Sequence, residues 1–140
     1  MKILKMLVLP LGLFFYALSV QANNRYENYQ GQGTWSFSSN KQSVQVFIKG
    51  SYVYAQAQNQ KQLPAARLKR VNSNLLNDYT GQYIVIEDFN NDGWQDIGVL
   101  KSVGFTGNRE LQYEHCYAVF DYVPGFYSFR SRPSKTVCLN

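Results

Sequence analysis

The run Asp88-Phe89-Asn90-Asn91-Asp92-Gly93-Trp94-Gln95-Asp96 constrains this chain more than any other stretch. Side-chain oxygens fall at its first, third, fifth and ninth positions, with Gly93 at the sixth. Oxygens at alternating positions of a tight loop converge on one point, as a hard cation with about six to eight oxygen ligands requires. Asp88, Asn90 and Asp92 would supply side-chain oxygens, Trp94 its backbone carbonyl, and Asp96 would close the shell. Gly93 takes a sharp turn that a Cβ would resist. Calcium is the expected ion, because magnesium keeps more of its own water and no thiolate or imidazole stands nearby to favour zinc. The competing reading is an Asx-rich turn, since Asn, Asp and Gly are also turn formers. Three mutually repelling carboxylates in this spacing weigh against it.

The flanks decide the frame around that loop. Tyr83-Ile84-Val85-Ile86 and Ile97-Gly98-Val99-Leu100 are short, apolar and β-branched, which reads as strand on both sides. An EF-hand would need a helix on each side and a Glu at the twelfth position, which here is Val99. The unit is therefore strand–loop–strand.

The remaining chain has the same short rhythm. Trp35 and Phe37 share one face of a strand expected over Thr34–Ser38. Ser43–Ile48 and Tyr52–Ala57 form a hairpin across Lys49-Gly50-Ser51, which puts Tyr52 and Tyr54 on one face. A polar loop over Gln56–Gln62 leads to a further strand at Arg67–Val71, whose basic residues form its solvated face. Asn72–Tyr79 reads as one helical turn. After the acidic loop come a strand at Val99–Val103, a loop at Gly104–Arg109, and an alternating run from Leu111 to Tyr122. A turn at Val123-Pro124-Gly125, a return over Phe126–Arg130 and a closing strand at Thr136–Leu139 finish the chain. The expected fold is all-β: an antiparallel β-sandwich or flattened barrel of about eight strands carrying one calcium loop. The acidic loop occurs once, which argues against a repeat architecture.

The first 22 residues read as a secretory leader. Lys2 and Lys5 precede an apolar stretch broken by Pro10, and Val20-Gln21-Ala22 offers small residues before a cut. The stretch is short for a membrane span, so no transmembrane segment is expected in the mature chain. Residues 23–140 then make a single β domain, placed in the periplasm or, alternatively, secreted. Cys116 and Cys138 are the two cysteines, and an oxidising compartment makes their pairing the default. Losing Lys2 and Lys5 with the leader takes the formal net charge from +5 to +3. Glu87, Asp88, Asp92 and Asp96 concentrate the acids at one loop, so the rest of the surface is basic. Such a surface suits an acidic protein, an anionic glycan or a lipid head group. No basic run interleaved with aromatics points to nucleic acid.

Nothing in the sequence makes a positive case for an enzyme. His115, the single histidine, lies mid-strand beside Cys116. Glu110, Glu114 and Asp121 carry no mark that separates them from solvated charges, and phosphate-cradling glycine motifs are absent. Tyrosine is abundant instead, with 11 in the chain, and it favours both half-buried strands and protein interfaces.

The run from Tyr83 to Phe129 resembles the C-terminal half of a family of secreted bacterial β proteins. That family includes periplasmic immunity proteins against peptidoglycan hydrolases delivered by type IV secretion, similar in fold to inhibitors of invertebrate-type lysozyme. The resemblance rests on the strand before the acidic loop, on Ile97-Gly98-Val99 and on the Gly107-Asn108-Arg109 loop. Val119-Phe120-Asp121-Tyr122 and the Gly125-Phe126 return complete it. It implies a stoichiometric inhibitor whose partner is a cell-wall hydrolase. Arg109, flanked by Gly107 and Asn108, would reach catalytic carboxylates through a charge-assisted bidentate contact; its rival is a plain turn with an exposed arginine. The alternatives are a calcium-stabilised envelope protein that binds a glycan or surface assembly, and a hydrolase using Glu110 or Asp121.

Overall fold

A computed structural model describes residues 29–31, 33–39, 41–57, 63–78, 83–105 and 113–139. The expected leader, Glu110 and the Gly107–Asn108–Arg109 loop lie outside these residues. The described part is two facing antiparallel sheets and a short ribbon. The first sheet runs in sequence order: β1 (Tyr29–Gly31), β2 (Thr34–Ser38), β3 (Ser43–Lys49), β4 (Tyr52–Ala57) and β5 (Ala66–Arg70). The helix α1 (Ser73–Asp78) leads into the second sheet. That sheet contains β6 (Ile84–Glu87), β7 (Asp96–Phe105), β8 (Tyr113–Phe120) and β11 (Lys135–Leu139), ordered β11-β8-β7-β6. Between β8 and β11, β9 (Tyr122–Val123) and β10 (Ser128–Phe129) pair across a 3-10 turn at Pro124–Phe126. Of the two expected architectures this is the sandwich; among the described residues no sheet closes on itself.

Alternation builds the first sheet. Trp35, Phe37, Val44, Val46, Val53 and Ala55 point into the core, while Phe47, Tyr52 and Tyr54 lie half-buried on the outer face. There Tyr54 stacks on its cross-strand partner Phe47 with ring centroids 5.7 Å apart, and the Arg67 guanidinium lies 4.7 Å from the Tyr52 ring centre. Lys49 pairs with Tyr52, so the β3–β4 turn is Gly50-Ser51, with Gly50 at φ 61°. A glycine at positive φ in the first turn position suits a two-residue hairpin.

The second sheet does not alternate so simply. Ile84, Val85 and Ile86 are all buried, as are Tyr117, Ala118, Val119 and Phe120. Neighbours cover both faces of these strands. On one face Trp35 of the first sheet stacks against Tyr83 with centroids 6.1 Å apart. Close packing is also visible at Gly98, where an added Cβ would lie 3.2 Å from Tyr117 Cβ and 3.6 Å from Phe89 Cε2. The expected single run from Leu111 to Tyr122 is interrupted at Asp121, whose backbone carbonyl accepts the Arg130 N–H at 2.9 Å. The expected return at Phe126 shortens to β10, because Phe126 belongs to the 3-10 turn and Tyr127 has φ 53°.

Two local ties complete the frame. Asn72 Oδ1 accepts the Leu75 N–H at 3.3 Å, a side-chain cap at the start of α1, and the Asn72 N–H donates to the buried Tyr83 hydroxyl at 3.1 Å. Cys116 and Cys138 are disulfide-bonded and are direct cross-strand partners of β8 and β11, with Cα atoms 4.0 Å apart. By the chain-entropy account such a link contributes roughly 3 kcal/mol. No helix among the described residues is long and apolar enough to cross a membrane.

Candidate functional site

The acidic loop joins β6 to β7, two neighbouring antiparallel strands whose last pair is Glu87 with Asp96. Strand pairing thus brings the loop's two ends together. Inside it, side chains turn back on the backbone. Asp88 Oδ1 and Asn90 Oδ1 both accept the Asp92 N–H, at 3.2 and 3.3 Å. Asp88 Oδ2 accepts the Gly93 N–H at 2.8 Å, and Asp92 Oδ1 accepts the Trp94 N–H at 2.9 Å. Asn91 at φ 59° and Gly93 at φ 86° make the left-handed bends that allow this wrapping. Asp88, Asn90 and Asp92 are therefore brought together at the exposed end of the loop.

Asp96 is placed differently. Its side chain is fully buried, with Oδ2 accepting the Phe89 N–H at 3.1 Å and Oδ1 accepting the Tyr122 N–H at 3.0 Å. One carboxylate thus ties the start of the loop to the ribbon that follows β8. Burial pushes its pKa up to about 6 from 3.8, outweighing the two backbone hydrogen bonds that lower it; the negative charges of Asp121 and Asp92 add to the rise.

Three residues outside the loop hold it in place. Gln42, buried at the start of β3, clamps the backbone of Gln95: its Nε2 donates to the Gln95 carbonyl at 3.1 Å and its Oε1 accepts the Gln95 N–H at 2.6 Å. Lys135 Nζ donates to the Phe89 carbonyl at 2.7 Å. Lys41 places its ammonium 5.2 Å from the centre of the Trp94 ring. Trp94 in turn packs on Tyr122, with ring centroids 5.2 Å apart. The first sheet, the second sheet and the ribbon all meet at these nine residues. Sequence spacing carries no signal for Gln42 or Lys135, because both reach the loop across the fold.

The donor set suits a hard cation. Each carboxylate oxygen has more than one lone pair, so accepting a backbone N–H does not exhaust Asp88 or Asp92 as ligands. A dication would also offset the burial of the Asp96 charge. Among the described residues, the one group of three metal-capable side chains with atoms within 4.8 Å of one another is Glu114, Cys116 and Cys138. Both sulfurs of that group belong to the disulfide, so it offers no thiolate. The carboxylates of Asp88, Asp92 and Asp96 do not form such a group, and both oxygens of Asp96 accept the N–H groups of Phe89 and Tyr122.

Fold and covalent chemistry define the class: a disulfide-bonded antiparallel β-sandwich organised around one acidic loop. No protein-family model matches the chain, and neither a curated protein nor a solved structure matches it.

Proposed function

We propose that this protein is a calcium-binding protein of the periplasm that acts, without chemistry of its own, as a stoichiometric inhibitor or immunity protein against a lysozyme-like peptidoglycan hydrolase. The observation that carries the calcium half is the inward wrapping of Asp88 and Asn90 around the Asp92 and Gly93 N–H groups and of Asp92 around the Trp94 N–H. Calcium would be held by those three side chains and by the Trp94 carbonyl, with Asp96 completing the shell once its carboxylate turns from the Phe89 and Tyr122 N–H groups toward the ion. Its role is structural, cancelling carboxylate repulsion at the point where both sheets and the ribbon meet. The inhibitory half rests on the family resemblance of residues 83–129 and on the basic surface outside the loop. The Gly107–Asn108–Arg109 loop is the proposed contact, with the Arg109 guanidinium directed at an acidic catalytic cleft. The leader and the disulfide support an oxidising, extracytoplasmic location.

Titration calorimetry of the chelator-treated protein tests the first half. A one-to-one calcium isotherm with a raised melting temperature is expected, and no heat with no thermal shift would overturn it. A cell-wall lysis assay with a panel of lysozyme-like hydrolases tests the second half. One-to-one inhibition that Arg109→Ala weakens at least tenfold is expected. Inhibition unaffected by that change removes the loop assignment, and a protein that inhibits no enzyme of the panel removes the inhibitor reading.

A further inference from the structure

A cavity of about 670 Å³ lies between the β9–β10 ribbon and the 130–134 connection into β11, remote in sequence from the acidic loop. Its lining includes Arg130, Arg132, Asp121, Ser131, Ser134 and Phe126. Arg130 and Arg132 are exposed, and their guanidinium groups have no hydrogen bond or ion pair among the described residues. Asp121, half-buried, is positioned by the Ser134 hydroxyl, which donates to its Oδ1 at 3.0 Å. Phe126 is 76% exposed, an unusual state for a phenyl ring. Its backbone is fixed by Pro124 at the head of the 3-10 turn and by the Tyr127 N–H donating to the Pro124 carbonyl at 3.3 Å. The following residue, Tyr127, is held at φ 53°, a conformation that costs a bulky side chain energy and recurs at functional sites.

We propose that this cavity binds an acidic saccharide. The guanidinium groups of Arg130 and Arg132 take the sugar carboxylate, the geometry for which arginine is better suited than lysine. Asp121 and the serine hydroxyls take ring hydroxyls, and Phe126 covers an apolar ring face. Three features favour a sugar over an acidic polypeptide segment. The volume falls in the range of small-ligand clefts, about 300–1,000 Å³. Asp121 would repel a run of carboxylates but accepts hydrogen bonds from hydroxyls. The exposed Phe126 ring beside a polar cleft matches the two-sided, apolar and hydroxylated character of a pyranose. The site gives a location and a chemistry to glycan binding, and it does not rest on the hydrolase reading or on calcium.

The test is an amide-shift NMR titration of the oxidised protein, run with added calcium and again with chelator, and with no hydrolase present. The probes are N-acetylmuramic acid, glucuronic acid, neutral N-acetylglucosamine and a tetraglutamate peptide. Saturable shifts confined to residues 121–134 are expected with at least one acidic sugar, with binding at least tenfold weaker for the neutral sugar. The stronger of the two acids tells a cell-wall source from a uronate polymer. Arg132→Ala and Phe126→Ala, both at exposed positions, should each weaken that binding at least fivefold while leaving the rest of the spectrum in place. The proposal is overturned by the absence of shifts with both acids, by shifts elsewhere on the surface, by equal binding of the neutral sugar, or by tighter binding of tetraglutamate.

Discussion

Asp96 owes its altered acidity to position: a carboxylate at zero exposure, held by two backbone N–H groups from different parts of the chain. In the ion-free protein its folded pKa of about 6 stands above the ordinary 3.8, so between those values the folded state binds the proton more tightly than the unfolded chain does. Stability from this group is fully present below about pH 4 and falls as pH rises through about 6, by up to about 3 kcal/mol at roughly 1.4 kcal/mol per unit. Urea melts of the calcium-free protein from pH 4 to 7 should show that decline. Asp96→Asn should be less stable at pH 4, by about 1–3 kcal/mol, because its amide must set an N–H₂ group against one of the two backbone donors. It should also show no decline in that window. On the proposed calcium reading, the ion and the proton would compete for the same oxygens, so calcium affinity should rise with pH over the same interval. The spacing of Asp88 to Asp96 made the candidate ligands legible in the sequence. The separate setting of Asp96 was not, because it depends on Tyr122, a partner 26 residues away.

At the scale of the elements, turn chemistry was the most readable signal. The strands Thr34–Ser38 and Tyr52–Ala57 fall where alternation and glycine punctuation place them, and the β3–β4 hairpin closes on Gly50 as expected. Burial on both faces was harder to see, since alternation reports only a sheet with one wet side. For that reason the alternation read through Tyr117 and Val119 misses Ala118 and Phe120, which are buried as well. Two glycines separate backbone need from packing need. Gly50 has φ 61° and open space within 4 Å of where a Cβ would stand, whereas Gly33 has φ 74° and its Cβ would meet Ile48 Cδ1 at 2.8 Å. Gly50→Ala should therefore cost only the left-handed backbone penalty, about 1–2 kcal/mol. Gly33→Ala should cost more, because Ile48 must also move and the Gly33 carbonyl accepts the Ile48 N–H at 3.1 Å. Thermal denaturation of the two variants side by side would separate the effects, and equal losses would mean that Ile48 relaxes freely.

For the molecule as a whole, the acidic loop is a junction rather than an appendage. Gln42 ties it to the first sheet, Lys135 to the edge strand of the second, and Asp96 to the ribbon. In the calcium-free protein, Lys41 and Lys135 supply the nearby positive charge, and the hydrogen bonds of Gln42 do not depend on any ion. Two kinds of substitution should therefore act differently on global stability. Asp92→Asn keeps an oxygen to accept the Trp94 N–H but removes a ligand charge, so the calcium-free melting temperature should hardly change. On the proposed calcium reading, wild-type protein at a hundredfold excess of calcium over its dissociation constant should gain about 2.7 kcal/mol, roughly 10 °C for a chain of this size; the variant should lose most of that increment. Gln42→Ala leaves the Gln95 N–H and carbonyl without their partners and should lower stability by about 1–3 kcal/mol with or without the ion, keeping the calcium increment intact. Scanning calorimetry of both variants, each with calcium and with chelator, gives the four differences needed. If Gln42→Ala abolished the increment, the clamp would be a precondition for ion binding, and the loop would have no competent shape of its own. If Asp92→Asn kept the full increment, the cation would have to sit somewhere other than the Asp88–Asp96 loop.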